Sequence, residues 1–128
     1  MTTIRCEADL AAGLSLLLTR DPRLCPIADA CGPLPLRLSP PGFAGLASII
    51  VSQMVSRASA DAIWRRMEAA GLVEMAAVAG ASDEDLRAVG LSRQKARYAK
   101  ALAVSGIDFD GLRVLPDAQV IATLTAVP

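Results

Sequence analysis

The strongest constraint in this sequence is a junction at which two helical patterns meet without the residues that usually separate helices. From Gly42 to Met67 the chain reads GFAGLASIIVSQMVSRASADAIWRRM. In the first half Phe43, Leu46, Ile50 and Met54 recur at intervals of three and four, with Ala47, Ile49 and Val51 filling most of the remaining surface. A helix apolar on nearly every side is expected to be buried. In the second half Ala60, Ile63, Trp64 and Met67 share one face and Asp61, Arg65 and Glu68 the other, which predicts a surface helix. Asp61 and Arg65 have the spacing and polarity of a favourable i,i+4 ion pair. Between the two halves stands neither glycine nor proline, the usual punctuation, but Gln53-Met54-Val55-Ser56. Ser56 suits the N-cap of the second helix, because its hydroxyl can accept from a free N–H of the first turn. Met54 projects from the corner, and on spacing alone it reads as core filler.

The rest of the chain is also helical in pattern. Leu10, Leu14, Leu17 and Leu18 place a helix over Ala8 to Arg20, stopped at Asp21-Pro22 because the residue before proline avoids the α region. Pro22 fits the first position of a short helix from Arg23 to Cys31, which Gly32 ends. Residues Pro33 to Pro41 hold four prolines and cannot continue a helix, so they form an extended connector in which Leu34, Leu36 and Leu38 leave room for a short strand. Val73 to Ala79 is a short helix between two glycines. Ser82 opens the next with three acids in its first turn, where the helix dipole favours them. After Gly90, Ser92 caps a helix from Arg93 to Ser105, closed by Gly106, and Pro116-Asp117 starts a last one carrying Ala118, Ile121 and Leu124.

In the helix that Ser92 caps, Arg93, Arg97 and Lys100 fall within about 60° of one another and form a basic stripe. Tyr98, Ala99 and Leu102 lie opposite, and Lys95 points the same way. A lysine on the apolar side of a first turn, where the dipole disfavours a cation, needs a reason. Either the amine reaches past the helix end to water, or it is held for a phosphate.

Composition narrows the functional classes. The 128 residues suffice for one domain, spanning 1–128. Lysine plus arginine and aspartate plus glutamate number 13 each, so no global basic field attracts nucleic acid and any polyanion site must be local. Apolar residues reach 53% before glycine is counted, above the ~45–50% that ordinary soluble domains reach with glycine included. A domain this small buries only about two thirds of its surface. Part of the apolar surface is therefore expected to meet a partner or a further part of the same fold. The apolar runs at 8–19 and 42–55 are shorter than the roughly 18 residues of a membrane span, and Glu7 and Asp9 stand where a signal peptide would be basic. A cytoplasmic location follows as an expectation, with no membrane partner. Cys6, Cys25 and Cys31 are odd in number, with no CxxC and no histidine in the chain, so neither a disulfide framework nor a zinc site is supported. Phosphate-binding glycine motifs and Ser-His or Cys-His pairs are absent too.

Two stretches taken together resemble a known family. Phe43-Ala44-Gly45-Leu46 running on to Ile49-Ile50-Val51-Ser52-Gln53-Met54-Val55-Ser56 is similar to the corresponding stretch of the helix-hairpin-helix DNA glycosylases. Leu86-Arg87-Ala88-Val89-Gly90-Leu91-Ser92-Arg93-Gln94-Lys95-Ala96-Arg97-Tyr98 resembles their L-R-x-x-G-[LM]-S-x-x-K-x-x-Y segment. The 3-methyladenine DNA glycosylase II branch is the most similar, and the likeness spans about residues 14 to 128. It implies an all-α helical bundle around a cleft, incomplete at the C-terminus. Thr123 to Pro128 looks like the helix leading into the family's phosphate-gripping hairpin, so that hairpin and the catalytic aspartate beyond it are expected after Pro128, leaving no catalytic residue here.

The resemblance also implies roles. Met54 takes the place of the side chain that wedges into the gap left by an extruded base, although glutamine or leucine stands there in many relatives. Gln53, Met54, Ser56, Arg93, Lys95 and Arg97 become the expected DNA-binding residues. The implied partner is double-stranded DNA with a flipped damaged base, and the implied reaction is hydrolysis of the N-glycosidic bond of alkylated purines without a metal or other cofactor. Self-association through uncovered apolar surface is a further expectation. The competing class is a non-catalytic helical module that binds DNA or a protein through that surface.

Overall fold

The computed structural model describes residues 4–128, and among them the regular structure is helical: eight α-helices and two 3-10 turns. The chain divides into two compact units, one ending at Ser39 and the other spanning Pro40–Pro128.

In the first unit, α1 (Glu7–Arg20) begins where the Asp9 carboxylate accepts hydrogen bonds from the Arg5 and Cys6 N–H groups at 2.9 and 3.2 Å. The single helix expected from Arg23 to Cys31 is instead a 3-10 turn, Pro22–Leu24, followed by α2 (Cys25–Cys31). Pro26 explains the break, since it has no N–H for the Pro22 carbonyl and its ring would crowd that carbonyl in a continuous helix. Asp21 braces the turn with two contacts to the Arg23 guanidinium, each 2.8 Å. Gly32 ends α2 at a φ of 70°, as expected. The leucines at 34, 36 and 38 form no strand. A strand needs a neighbour, and prolines 33, 35, 40 and 41 remove donors that would pair with one.

The second unit contains every buried residue among those described. It comprises α3 (Gly42–Ser52), α4 (Arg57–Ala69), α5 (Met75–Gly80), α6 (Asp83–Ala88), α7 (Arg93–Ala103), a 3-10 turn and α8 (Asp117–Thr125). The core is assembled from Phe43, Ala47 and Val51 on α3, Ile63 and Met67 on α4, Val78, Leu86 and Leu91, and Ala96, Ala99, Leu102 and Ala103 on α7. Alanine on both sides of the α3–α7 contact lets the helices approach closely, because interaxial distance follows side-chain size. At the start of α3 the packing is tight enough to require glycine: a Cβ on Gly45 would lie 2.0 Å from the Pro40 carbonyl oxygen.

Two expectations about the central pair need correction. The helix α3 is not buried on every side: its buried positions are Phe43, Gly45, Ala47 and Val51, while Ile49 is half exposed. Its apolar run therefore extends onto a surface that this unit leaves uncovered. Asp61 and Arg65 form no ion pair; the Arg65 guanidinium donates to the Asp61 carbonyl at 3.3 Å instead. Exposed pairs of this kind gain so little Coulomb energy that a backbone acceptor competes.

The expected start of α6 is present in full. Ser82 accepts from the Asp85 N–H at 3.1 Å, and the Asp85 carboxylate accepts from the Ser82 N–H and hydroxyl at 3.1 and 2.7 Å. Those bonds, the hydroxyl's first, hold the Asp85 carboxyl below its ordinary range. A carboxyl lowered in this way adds stability above its unfolded pKa of about 3.9 and loses it as pH falls through the folded value. The start of α6 is thus expected to loosen only below about pH 4. In Ser82→Ala the Asp85 carboxyl should titrate closer to the unfolded value, which a side-chain NMR titration would read; an unmoved midpoint would contradict this account.

Candidate functional site

At the α3–α4 corner the backbone takes a conformation that its sequence does not favour. Gln53 is extended, with φ −61° and ψ 134°, and Met54 follows with a φ of 57°. This is the pattern of the two central positions of a type II turn, the second of which normally goes to glycine. Met54 is the one residue other than glycine with positive φ among those described. A side chain in this region costs about 1–2 kcal/mol, so its surroundings must enforce it. The side chain is also fully exposed, at 100%. Core filler is therefore excluded: α3 ends at Ser52, and Met54 stands outside both helices.

Met54 borders a concavity of about 410 Å³. It is lined by Gln53, Met54 and Val55 of the corner, by Ser92, Gln94, Lys95 and Tyr98 of α7 and its cap, and by Ile63 and Gly90. None of these residues is a carboxylate. The walls are set by caps. Ser56 starts α4 by accepting from the Ser59 N–H at 3.2 Å, and Ser92 starts α7 by accepting from the Lys95 N–H at 3.2 Å.

Two long-range contacts then tie helix ends to cations on other helices. Lys95 Nζ donates to the Val51 carbonyl at 2.6 Å, and Arg66 Nε donates to the Val89 carbonyl at 2.9 Å. Each cation sits at the carboxyl end of a helix, α3 and α6 respectively, where unpaired carbonyls and the dipole favour positive charge. Gly90, at a φ of 104°, leaves room for Arg66; a Cβ there would lie 2.6 Å from its Nη2.

Of the residues expected to bind DNA, Gln53, Met54 and Lys95 meet in this concavity, while Ser56, Arg93 and Arg97 are exposed outside its lining. Within the basic stripe, Lys100 pairs with Asp83 at 3.4 Å, and Arg97 lies over the Tyr98 ring, 5.4 Å from its centre. Sequence reasoning missed Gln94 and Tyr98. Gln94 Nε2 donates to Tyr98 Oη at 2.7 Å, and this bond, followed by that from Arg97, holds the phenol below its ordinary pKa. Their i,i+4 spacing is the signal that could have found the pair, and it went unused. Among the described residues no group of three or more His, Cys, Asp or Glu could hold a metal ion. No described helix is long and apolar enough to cross a membrane.

The family model described as "HhH-GPD superfamily base excision DNA repair protein" matches residues 47–123. That span contains the α3–α4 corner and the whole of α7. Among solved structures, a DNA-3-methyladenine glycosidase from Bacillus halodurans is similar, with a TM-score of 0.70 and 29% sequence identity over 99% of this chain. The match covers 59% of that protein, so the chain spans less than two thirds of its relative's length. No curated protein sequence matches the chain.

Proposed function

The chain belongs to the HhH-GPD superfamily of base excision DNA repair proteins, and we propose that it is the amino-terminal part of a DNA glycosylase that removes alkylated purines. In this reading the chain binds a duplex at a damaged site, and Met54 enters the gap left when the base is extruded. An unbranched apolar side chain suits that place, because it replaces lost stacking and needs no hydrogen-bond partner. Gln53 and Ser56 at the same corner, with Arg93 and Arg97 on the exposed side of α7, are the proposed contacts to the surrounding DNA.

The observation that carries this reading is the Met54 turn. A solvent-facing methionine held in a left-handed conformation gains nothing for the fold, and strain of this kind collects at functional sites. Extruding the base costs a few kcal/mol and is least costly for a weakly paired lesion, which gives one source of selectivity. Breaking the glycosidic bond requires carboxylate help in this reading. The concavity has no carboxylate in its lining, and 41% of the similar glycosidase lies beyond the match. We therefore place the chemical group outside these residues. That lack of a carboxylate also favours the second reading, a binding module without chemistry.

Binding to duplexes labelled with 2-aminopurine beside an abasic site tests the proposal. The 128-residue protein is expected to bind the abasic duplex more tightly than its matched counterpart and to change the fluorescence of the neighbouring base. It is also expected to release no base from alkylated DNA. Equal affinity for the two duplexes would overturn the reading of Met54, and measurable base release would overturn the placement of the catalytic group. Base release by a longer form that includes the remaining part of the fold would decide against the module.

A further inference from the structure

The position of Lys95 does not make sense from α7 alone. It lies in that helix's first turn, where the dipole disfavours a cation, and on the side of α7 that faces the core. Across 44 residues of sequence its amine meets the Val51 carbonyl at 2.6 Å. That carbonyl is in the last turn of α3, where helix geometry leaves carbonyls without partners, and Val51 itself is buried. No glycine follows α3 to end it with a left-handed cap. The chain leaves through extended Gln53, whose N–H returns to Ile49 and Ile50, and reaches Met54 three residues after Val51.

We infer that Lys95 is a positioning residue for Met54: its ammonium caps the end of α3 and thereby fixes the turn that presents the methionine. The inference rests on the reading of Met54 as the wedge. The reason is energetic. Strained backbone persists only where its surroundings over-determine it, and an uncapped last turn of α3 would fray and let Met54 relax out of the left-handed region. Lys95 and Arg66, tying the ends of α3 and α6 to α7 and α4, hold both sides of the concavity to the same core. In this assignment Lys95 is not a phosphate ligand, and the sequence-based grouping of Lys95 with Arg93 and Arg97 dissolves.

The test compares Lys95→Met, Lys95→Arg and Met54→Gly in the 128-residue protein. Without DNA, Lys95→Met is expected to speed hydrogen exchange at the Gln53 amide by about tenfold or more, the factor that losing a charge-assisted bond implies, while the Met67 amide stays within about twofold. With DNA, the preference for abasic over matched duplex is expected to fall by about tenfold in Lys95→Met and to survive in Lys95→Arg, which still presents a charged donor. The salt dependence of binding should not change. A salt slope shallower by about 0.9 with the preference intact would make Lys95 a phosphate contact and overturn the inference. Unchanged Gln53 exchange would also overturn it. If Lys95→Met proves too unstable to study, Lys95→Gln, with a donor but no charge, is expected to move both readouts in the same direction. Failure of the underlying reading is separable: a normal preference in Met54→Gly removes the wedge, whatever the exchange at Gln53 shows.

Discussion

Replacing Met54 with glycine is expected to remove most of the preference for a duplex with a missing or extruded base, by about tenfold or more, and to leave the protein at least as stable. An apolar side chain inserted at a base step offsets part of an unstacking cost of about a few kcal/mol, and tenfold in affinity corresponds to about 1.4 kcal/mol. The folded state loses no packing, because the side chain is wholly exposed. Glycine relieves about 1–2 kcal/mol of left-handed strain, against roughly 0.5–1 kcal/mol for its greater freedom in the unfolded chain. Met54→Ala separates the two effects, since it removes the wedge and keeps the strain. Thermal melting read beside abasic-duplex affinity checks both. A fall of several degrees in Tm for Met54→Gly with unchanged affinity would show that the methionine serves the fold.

The second large effect concerns stability. Leu86→Ala is expected to destabilise the protein by about 2–5 kcal/mol, as large-to-small changes at fully buried sites do. Leu86 has no exposed surface, and the buried residues it joins all lie between Phe43 and Ala103. A core this short has few contacts in reserve, and natural domains are stable by only about 5–15 kcal/mol. The matched control is Leu17→Ala on α1, where the side chain is half exposed and a change within about 1 kcal/mol is expected. Chemical denaturation of the two variants measures the contrast. Similar losses at both positions would mean that α1 is buried in solution.

Much of the local structure was legible because its causes are local. Ser56, Ser82 and Ser92 cap the helices they precede, and Gly32 ends α2. In each case one side chain, or its absence, acts on backbone within a few residues. The periodicity of α7 placed Ala99 and Leu102 on the buried side. Where reading failed, a second influence of comparable strength was present. Pro26 split the helix expected from Arg23, and the Asp61 carbonyl drew the Arg65 guanidinium from the carboxylate.

The candidate site was legible in a different way. Resemblance, not spacing, singled out Met54, since the interval from Ile50 to Met54 continues the apolar stripe and argues for burial. What spacing could not show is that α3 stops at Ser52 and that the turn beyond it faces away from the core.

By itself, then, the sequence determined that the chain is helical, where most helices begin, and that the Gln53 to Ser56 junction had to be a corner. These properties depend on neighbours within a turn or two. Tertiary structure alone decided that Met54 is presented to solvent in a strained turn and that Lys95 ends on the Val51 carbonyl. Burial depends on which surfaces meet and a cap in trans depends on which helix ends come together, and neither is written in the spacing of residues along one helix.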